Sequence, residues 1–119
     1  MTPEQYINEC AKISCSKLKA EIKMLDSFLE LPKDFDDYEW EVVAKGCFTG
    51  VKLIVAGVTH SLNFYDPIRL GQEMTDELRG EDIFYEPNLI VVRSVQRLAM
   101  ERAVELLMNS GRFKSLTPD

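Results

Sequence analysis

The first thirty residues carry apolar and polar positions with the period of an α-helix. Thr2, Pro3 and Gln5 supply an N-cap, a proline at the first helical position and a capping-box partner. We therefore expect a helix from about Pro3 to Glu30. Its apolar side spans roughly 200°, against the ~100° stripe that is usual for a surface helix. Such a helix needs two neighbours, and homodimerisation through residues 6–31 is one way to supply the second.

After an acidic linker, the pattern changes to the two-residue alternation of a strand. Trp40, Val42 and Ala44 alternate with Glu39, Glu41 and Lys45, which predicts a strand that points Trp40 into the core. The chain then reverses at Lys45-Gly46 or at Thr49-Gly50, and we favour the second of these turns.

Two further strands are predicted at residues 51–55 and 58–65. Ala56-Gly57 lies between them as a two-residue hairpin connection. On the later strand, His60 shares a side with Leu62 and Phe64, so the alternation places it at or near the core.

The remaining residues predict a helix, a strand and a final helix. The first of these helices begins at Asp66-Pro67 and ends by Gly80. Residues 89–93 form an unbroken apolar run that is typical of a strand buried on both faces. Ser94 is expected to cap the last helix, which Gly111 closes. The residues expected on its inner face are Val95, Ala99, Ala103 and Leu106.

This order predicts an α+β fold, with the elements α-β-β-β-α-β-α and a four-stranded, mostly antiparallel sheet on which the helices pack. We expect residues 1–119 to form a single globular domain. At 119 residues and 45% apolar composition, the chain can bury a sufficient core without metal or disulfide crosslinks.

The same sequence excludes several classes of protein. Its longest apolar runs are far shorter than the ~20 residues that cross a bilayer, and its start lacks the basic and apolar regions of a secretory signal. We therefore expect a cytoplasmic protein with no membrane partner. The three cysteines form no C-x-x-C pair, so we expect reduced thiols and no metal or other cofactor.

Candidate catalytic residues are few. The chain has one histidine, and none of the common phosphate, dinucleotide, acyl-transfer or zinc-protease motifs is present. We expect no catalytic residue, which makes an enzyme the less favoured class. If the chain is a small enzyme or a small-molecule-binding protein, its pocket is expected near His60, Tyr65 and Arg69, where a strand meets a helix.

The charge is concentrated in two places. The net charge is −6, yet residues 30–41 and residues 73–86 each carry −5, so the remaining residues together carry +4. Such acidic segments repel phosphate backbones and attract cationic proteins. We expect the partner-binding residues to be Asp34, Asp36, Asp37, Glu39, Glu41, Glu73, Glu77, Glu81 and Asp82.

The preferred hypothesis is a non-enzymatic protein-protein interaction module that binds a basic protein and no nucleic acid. Immunity proteins and antitoxins that inhibit cationic nucleases resemble this chain in size and charge alone. That analogy rests on no shared motif. The alternative hypothesis remains the pocket described above.

Overall fold

The structure, a computed structural model, describes residues 26–119, which fold into a four-stranded sheet with helices. The elements in chain order are β1 (Ser27–Glu30), α1 (Phe35–Lys45), β2 (Cys47–Val55), β3 (Val58–Tyr65), α2 (Pro67–Glu77), β4 (Leu89–Val91), α3 (Arg97–Asn109) and a 3₁₀ helix (Arg112–Ser115). Neighbouring strands follow the order β1-β2-β3-β4, antiparallel except for the parallel pair β3 and β4. The predicted α+β fold with a mostly antiparallel four-stranded sheet is confirmed.

The β2–β3 hairpin follows the sequence closely. Its turn is Ala56-Gly57, as predicted, with φ of 50° and 81°. Positive φ at both turn residues is the geometry that suits the right-handed twist of a hairpin. The third predicted strand, residues 58–65, coincides with β3.

The hairpin builds one side of the core, because alternate residues of its strands point to the same face. The other side comes from α1 and α3 and from Phe113 of the 3₁₀ helix. The buried apolar residues of this core are Phe35, Val42, Val51, Leu53, Val55, Leu62, Phe64, Val95, Met100, Val104, Met108 and Phe113. His60 is the buried polar residue among them, at 7% exposure.

The predicted structure of residues 27–30 and 38–45 is wrong. Most of the helix expected from Pro3 to Glu30, with its dimerisation surface, lies outside the described residues. Its last four residues instead form β1, in which Ser27 pairs with Val55 and Glu30 pairs with Lys52. Residues 38–45, expected as a strand, belong to helix α1.

Helix α1 forms because its buried positions have helical spacing. Phe35 and Val42 are seven residues apart, about two turns, and both are buried. Trp40, expected in the core, therefore points away from it and is 69% exposed. The backbone of Tyr38 interrupts the helix with φ of −129°. The alternation of Trp40, Val42 and Ala44 suits a strand, but the residues that become buried, Phe35 and Val42, have the spacing of a helix.

Neither proposed turn between the first two predicted strands is a hairpin. Gly46 ends α1 in the left-handed conformation, with φ of 77°. Thr49 and Gly50 lie within β2, where the pairing with β3 shifts between Phe48 and Val51. A glycine before a strand can therefore end a helix or allow a bulge as well as reverse a chain.

The C-terminal elements differ from prediction in their buried faces. β4 has three residues and Val91 is 47% exposed, so this strand is not buried on both faces. Gln96, and not Ser94, is the residue before α3. The helix turns Met100, Val104 and Met108 inward, while Leu106 is 54% exposed.

Candidate functional site

The two acidic segments occupy different structural settings. In the first segment, residues 30–41, two carboxylates contact Arg97 at the start of α3. Asp36 Oδ1 accepts a hydrogen bond of 2.9 Å from Arg97 Nε, and Glu39 Oε2 accepts one of 2.6 Å from the Arg97 backbone N–H. These two acids therefore hold α1 against α3, although both were predicted to bind a partner.

The Glu39 contact replaces a missing helix cap. Gln96 precedes α3 and makes no side-chain cap bond, so the first backbone N–H groups of the helix need another acceptor. A carboxylate at this end also interacts favourably with the helix dipole. Arg97 completes the junction because its guanidinium lies 5.3 Å from the centre of the buried Phe35 ring.

Beside this junction lies a shallow groove, which we call the tryptophan groove. It is lined by Glu39, Trp40, Val43, Gln96, Arg97 and Leu98. Trp40 and Leu98 are 69% and 76% exposed. The remaining predicted binding residues of the first segment, Asp34, Asp37 and Glu41, are exposed.

The second acidic segment, residues 73–86, surrounds an open cleft of about 450 Å³, the glutamate cleft. Its lining residues are Tyr65, Glu73, Glu77, Glu81, Ile83, Phe84, Tyr85 and Glu86. Within the described part of the chain, four glutamates and no lysine or arginine thus line this cleft. Asp82, also predicted to bind a partner, is exposed in the same loop.

Helix α2 places Glu73 and Glu77 one turn apart on the side that faces the cleft. The start of α2 is well determined by the sequence. Asp66 accepts a 2.7 Å hydrogen bond from the Arg69 backbone N–H, and Pro67 follows as the first helical residue, as predicted. The loop that follows α2 supplies the opposite side of the cleft.

Tyr65 joins the two sides. Its hydroxyl donates a 2.6 Å hydrogen bond to Glu86 Oε2. Burial, followed by that hydrogen bond, raises the pKa of Tyr65 well above its ordinary value. The phenol is therefore a neutral donor at physiological pH, and Glu86 is held as an acceptor at the edge of the cleft.

Arg69 lies next to this cleft. Its Nη2 is 2.6 Å from Glu73 Oε1, so it offsets part of the negative charge on that side. Its Nε is buried without a hydrogen-bond partner in the described residues. Of the pocket residues expected from the sequence, Tyr65 and Arg69 are thus brought together through Glu73.

His60 is not part of that group. Alternation along β3 puts His60 and Tyr65 on opposite faces of the sheet. The imidazole is buried with the core, and its Nδ1 is 3.3 Å from the Leu53 carbonyl oxygen. This is the environment of a packed histidine and not of a group that meets substrate.

One polar cluster was missed by the sequence analysis. Lys52 Nζ donates to Ser61 Oγ at 2.6 Å and to Asp119 Oδ2 at 2.8 Å. Hydrogen bonds from Lys52, and then from Ser61, lower the pKa of Asp119. Lys52 thus bridges two oxygens, and the cluster secures residues 117–119 beside β3. This cluster could be predicted only from the cross-strand register, which places Lys52 opposite Ser61.

The described residues hold no cluster of three or more histidine, cysteine, aspartate or glutamate side chains with the geometry of a metal site. They also include no helix that is long and apolar enough to cross a membrane. The glutamate cleft therefore presents carboxylates that are spread around an opening and not gathered on one point. Comparison with protein-family models, with curated proteins and with solved structures returned no match for this chain.

Proposed function

We propose that this protein is a non-enzymatic interaction module that binds a basic partner protein through the glutamate cleft. The observation that carries this proposal is the lining of the cleft, in which four glutamates and three aromatic rings meet around one opening. Carboxylates accept hydrogen bonds from ammonium or guanidinium groups, and aromatic faces attract the same cations. A lysine or arginine side chain of the partner fits both features.

The surroundings of the cleft favour a protein over a small cation. Ile83 and Tyr85 are 71% and 76% exposed, and Leu78 at the end of α2 is 51% exposed. Exposed apolar and aromatic side chains next to charged ones are typical of protein interfaces, in which tyrosine is enriched. A small cation would use the carboxylates and leave these side chains in water.

The candidate catalytic groups support a binding function over an enzymatic one. His60 packs in the core, and Lys52 and Ser61 are engaged with Asp119. None of these three residues lines the cleft. The side chains around the opening can attract and orient a cation, and the Tyr65 hydroxyl among them is hydrogen-bonded to Glu86 at the edge of the cleft.

In the narrower form of this proposal, the protein is an inhibitor of the immunity or antitoxin kind. The size and negative charge of the chain are the support for that form. Its consequence is measurable, because the basic partner would lose an enzymatic activity when the two proteins associate.

The test begins with affinity capture of a basic partner at low and high salt, followed by measurement of its association rate. Reversal of Glu77 and Glu81 to lysine is expected to slow association about tenfold or more, because it replaces attraction with repulsion in the cleft. The matched control reverses Asp34 and Asp37, which are exposed in the first segment, and is expected to change the rate less than about twofold.

Salt provides the second part of the test. Association of the unaltered protein is expected to slow steeply between low and physiological salt, where the Debye length falls to about 8 Å. An acidic partner, or a rate within a factor of two after reversal of Glu77 and Glu81, would contradict the proposal.

A further inference from the structure

Strand β1 forms one edge of the sheet, because within the described residues it pairs with β2 alone. The Ala56 backbone N–H donates a 2.8 Å hydrogen bond to the Asp26 carbonyl oxygen. By the alternation of an antiparallel ladder, residues 26, 28 and 30 therefore bond to β2. The N–H and C=O groups of Ser27 and Leu29 point the other way and have no hydrogen-bond partner within residues 26–119.

The other side of the β2–β3 hairpin is covered by later parts of the chain. The Thr59 carbonyl oxygen accepts a 2.9 Å hydrogen bond from the Asp119 N–H, and the Tyr65 carbonyl oxygen accepts one of 2.9 Å from the Val92 N–H. Residues 26–119 give β1 no such cover. A row of unpaired backbone groups at a sheet edge is a template for a further strand.

The exposed face of β1 carries an aromatic residue between two acids. Phe28 is 60% exposed and lies on the face opposite the core, against which its neighbour Leu29 packs. Alternation puts Asp26 and Glu30 on the same face as Phe28. Neither carboxylate has an ion-pair partner within residues 26–119. This edge therefore offers backbone groups, an aromatic ring and two negative charges together.

Lys52 is the cation that lies opposite Glu30 in the ladder. Its Nζ donates to Ser61 Oγ and lies 2.8 Å from Asp119 Oδ2, both on the side of β3 and not of β1. The charge of Lys52 is therefore compensated by Asp119. The two carboxylates of the β1 edge remain available to an added strand.

We propose that the free edge of β1 binds an extended segment of another protein, which pairs antiparallel with it and presents basic, apolar and basic side chains on the face of Phe28. Backbone hydrogen bonds to Ser27 and Leu29 hold the segment, and its basic residues lie opposite Asp26 and Glu30. No residue of β1 lines the glutamate cleft, so this surface goes beyond the proposed function.

Charge complementarity favours a basic segment over a second copy of this chain. Two β1 strands that pair through Ser27 and Leu29 place Asp26 of one copy opposite Glu30 of the other. Like charges directly opposite each other destabilise a strand pair, whereas lysine or arginine at the same positions stabilises it.

The experiment uses a labelled, capped peptide with the central sequence Lys-Thr-Val-Thr-Lys, in which the valine lies opposite Phe28. Two N-methylated forms have the same charge as this parent peptide. Methyl groups on both threonine nitrogens remove the N–H groups that bond to β1, whereas methyl groups on the valine and second lysine nitrogens lie on the far side. Fluorescence anisotropy is expected to show binding about tenfold or more weaker for the first form and less than about threefold weaker for the second.

The decisive variant of the protein is Ser27→Pro. It removes an outward N–H and no bond to β2, and proline is tolerated on an edge strand. It is expected to weaken the parent peptide about tenfold, while urea unfolding checks that the variant folds. Asp26→Lys is expected to weaken the peptide severalfold. Its matched control, Asp37→Lys, makes the same change of charge at an exposed position of α1 and is expected to have less than a twofold effect.

The inference is overturned if the two methylated peptides bind equally well, if Ser27→Pro binds the parent peptide as tightly as the unaltered protein does, or if that peptide does not bind at about 1 mM. Reversal of Glu77 and Glu81 to lysine separates this surface from the proposed function. The difference between the methylated peptides is expected to persist in that variant. Its loss would place the peptide in the glutamate cleft, which would overturn binding at β1 and leave the proposed function standing.

Discussion

The two acidic segments have the same net charge and different settings in the fold. In residues 30–41, Asp36 and Glu39 bind Arg97 of α3 and secure α1 against the core. In residues 73–86, Glu77 and Glu81 line an open cleft with aromatic side chains. Charge density along a chain therefore does not distinguish carboxylates that stabilise a fold from carboxylates that are available to a partner.

The two acidic segments differ in the arginine that pairs with their carboxylates. Arg97 lies 61 residues after Asp36, and folding brings it to the first segment. The second segment receives Arg69, which pairs with Glu73 at one side of the cleft and leaves Glu77 and Glu81 exposed. The comparison predicts that substitutions in the first segment affect folding and that substitutions in the second affect binding.

The largest effect is expected at Gly46, where the end of α1, the helix of the first segment, meets the start of α2, the helix that carries Glu73 and Glu77. Gly46 ends α1 with φ of 77°, and a Cβ added there would lie 2.5 Å from Asp66 Oδ2, which belongs to the N-cap of α2. Gly46→Ala is therefore expected to lower the free energy of unfolding by about 2–4 kcal/mol, through backbone strain and displacement of that cap.

Gly57→Ala is the matched control for this substitution. Gly57 also has a positive φ, 81°, but a Cβ there meets no atom within 4 Å. Its cost is expected to be about 1–2 kcal/mol, from strain alone. Equal urea midpoints for the two variants would contradict this prediction, because they would show that the close approach of Gly46 to Asp66 adds nothing to the cost of a positive φ.

The next effect separates the two segments directly. Glu39→Ala is expected to lower the free energy of unfolding by about 1–2 kcal/mol, because it removes the acceptor for the Arg97 backbone N–H at the start of α3. Glu77→Ala, on the exposed side of α2, is expected to change it by less than about 0.5 kcal/mol. Urea unfolding of both variants tests this, and similar losses would remove the distinction between structural and available carboxylates.

How much of the fold could be predicted from the sequence depends on how far apart along the chain the interacting residues lie. The β2–β3 hairpin and the start of α2 were predicted correctly, because Ala56-Gly57 and Asp66-Pro67 act on backbone within three residues of themselves. Helix α1 was mistaken for a strand, because Trp40, Val42 and Ala44 alternate and only tertiary packing selects Val42 for burial.

The candidate site shows the same limit. The sequence identifies both acidic segments, but the contacts that separate them join residues far apart in the chain. Asp36 meets Arg97, and Tyr65 meets Glu86 from 21 residues away. The sequence grouping of His60 with Tyr65 disregarded the alternation of β3, which turns the two residues to opposite faces.

A smaller effect concerns the cleft itself. Tyr65→Phe removes the hydrogen bond to Glu86 and is expected to lower the free energy of unfolding by about 1 kcal/mol at neutral pH. The pKa of Tyr65 is raised in the folded state. Above pH 10 the unfolded chain therefore loses this phenol proton while the folded chain keeps it, and the contribution of Tyr65 to stability declines as the pH rises.

Urea unfolding between pH 7 and 11 checks this prediction. The difference between the two proteins is expected to be constant below about pH 9 and to shrink at higher pH. A difference that stays constant to pH 11 would mean that Tyr65 is not held in its neutral form, and that Glu86 is not fixed at the edge of the cleft in the way the hydrogen bond indicates.

The smallest effect on stability is expected at Trp40, the most prominent apolar side chain of the first segment. A buried tryptophan replaced by alanine costs about 3–5 kcal/mol, but Trp40 is 69% exposed on α1. Trp40→Ala is therefore expected to lower the free energy of unfolding by less than about 1 kcal/mol. It is also expected to leave the association rate and affinity of the basic partner within about twofold, because the tryptophan groove lies in the region whose carboxylates hold α1 to α3. A tenfold loss of affinity without a loss of stability would break the comparison, since it would place the first acidic segment, with its exposed Asp37 and Glu41, in the partner interface beside the second.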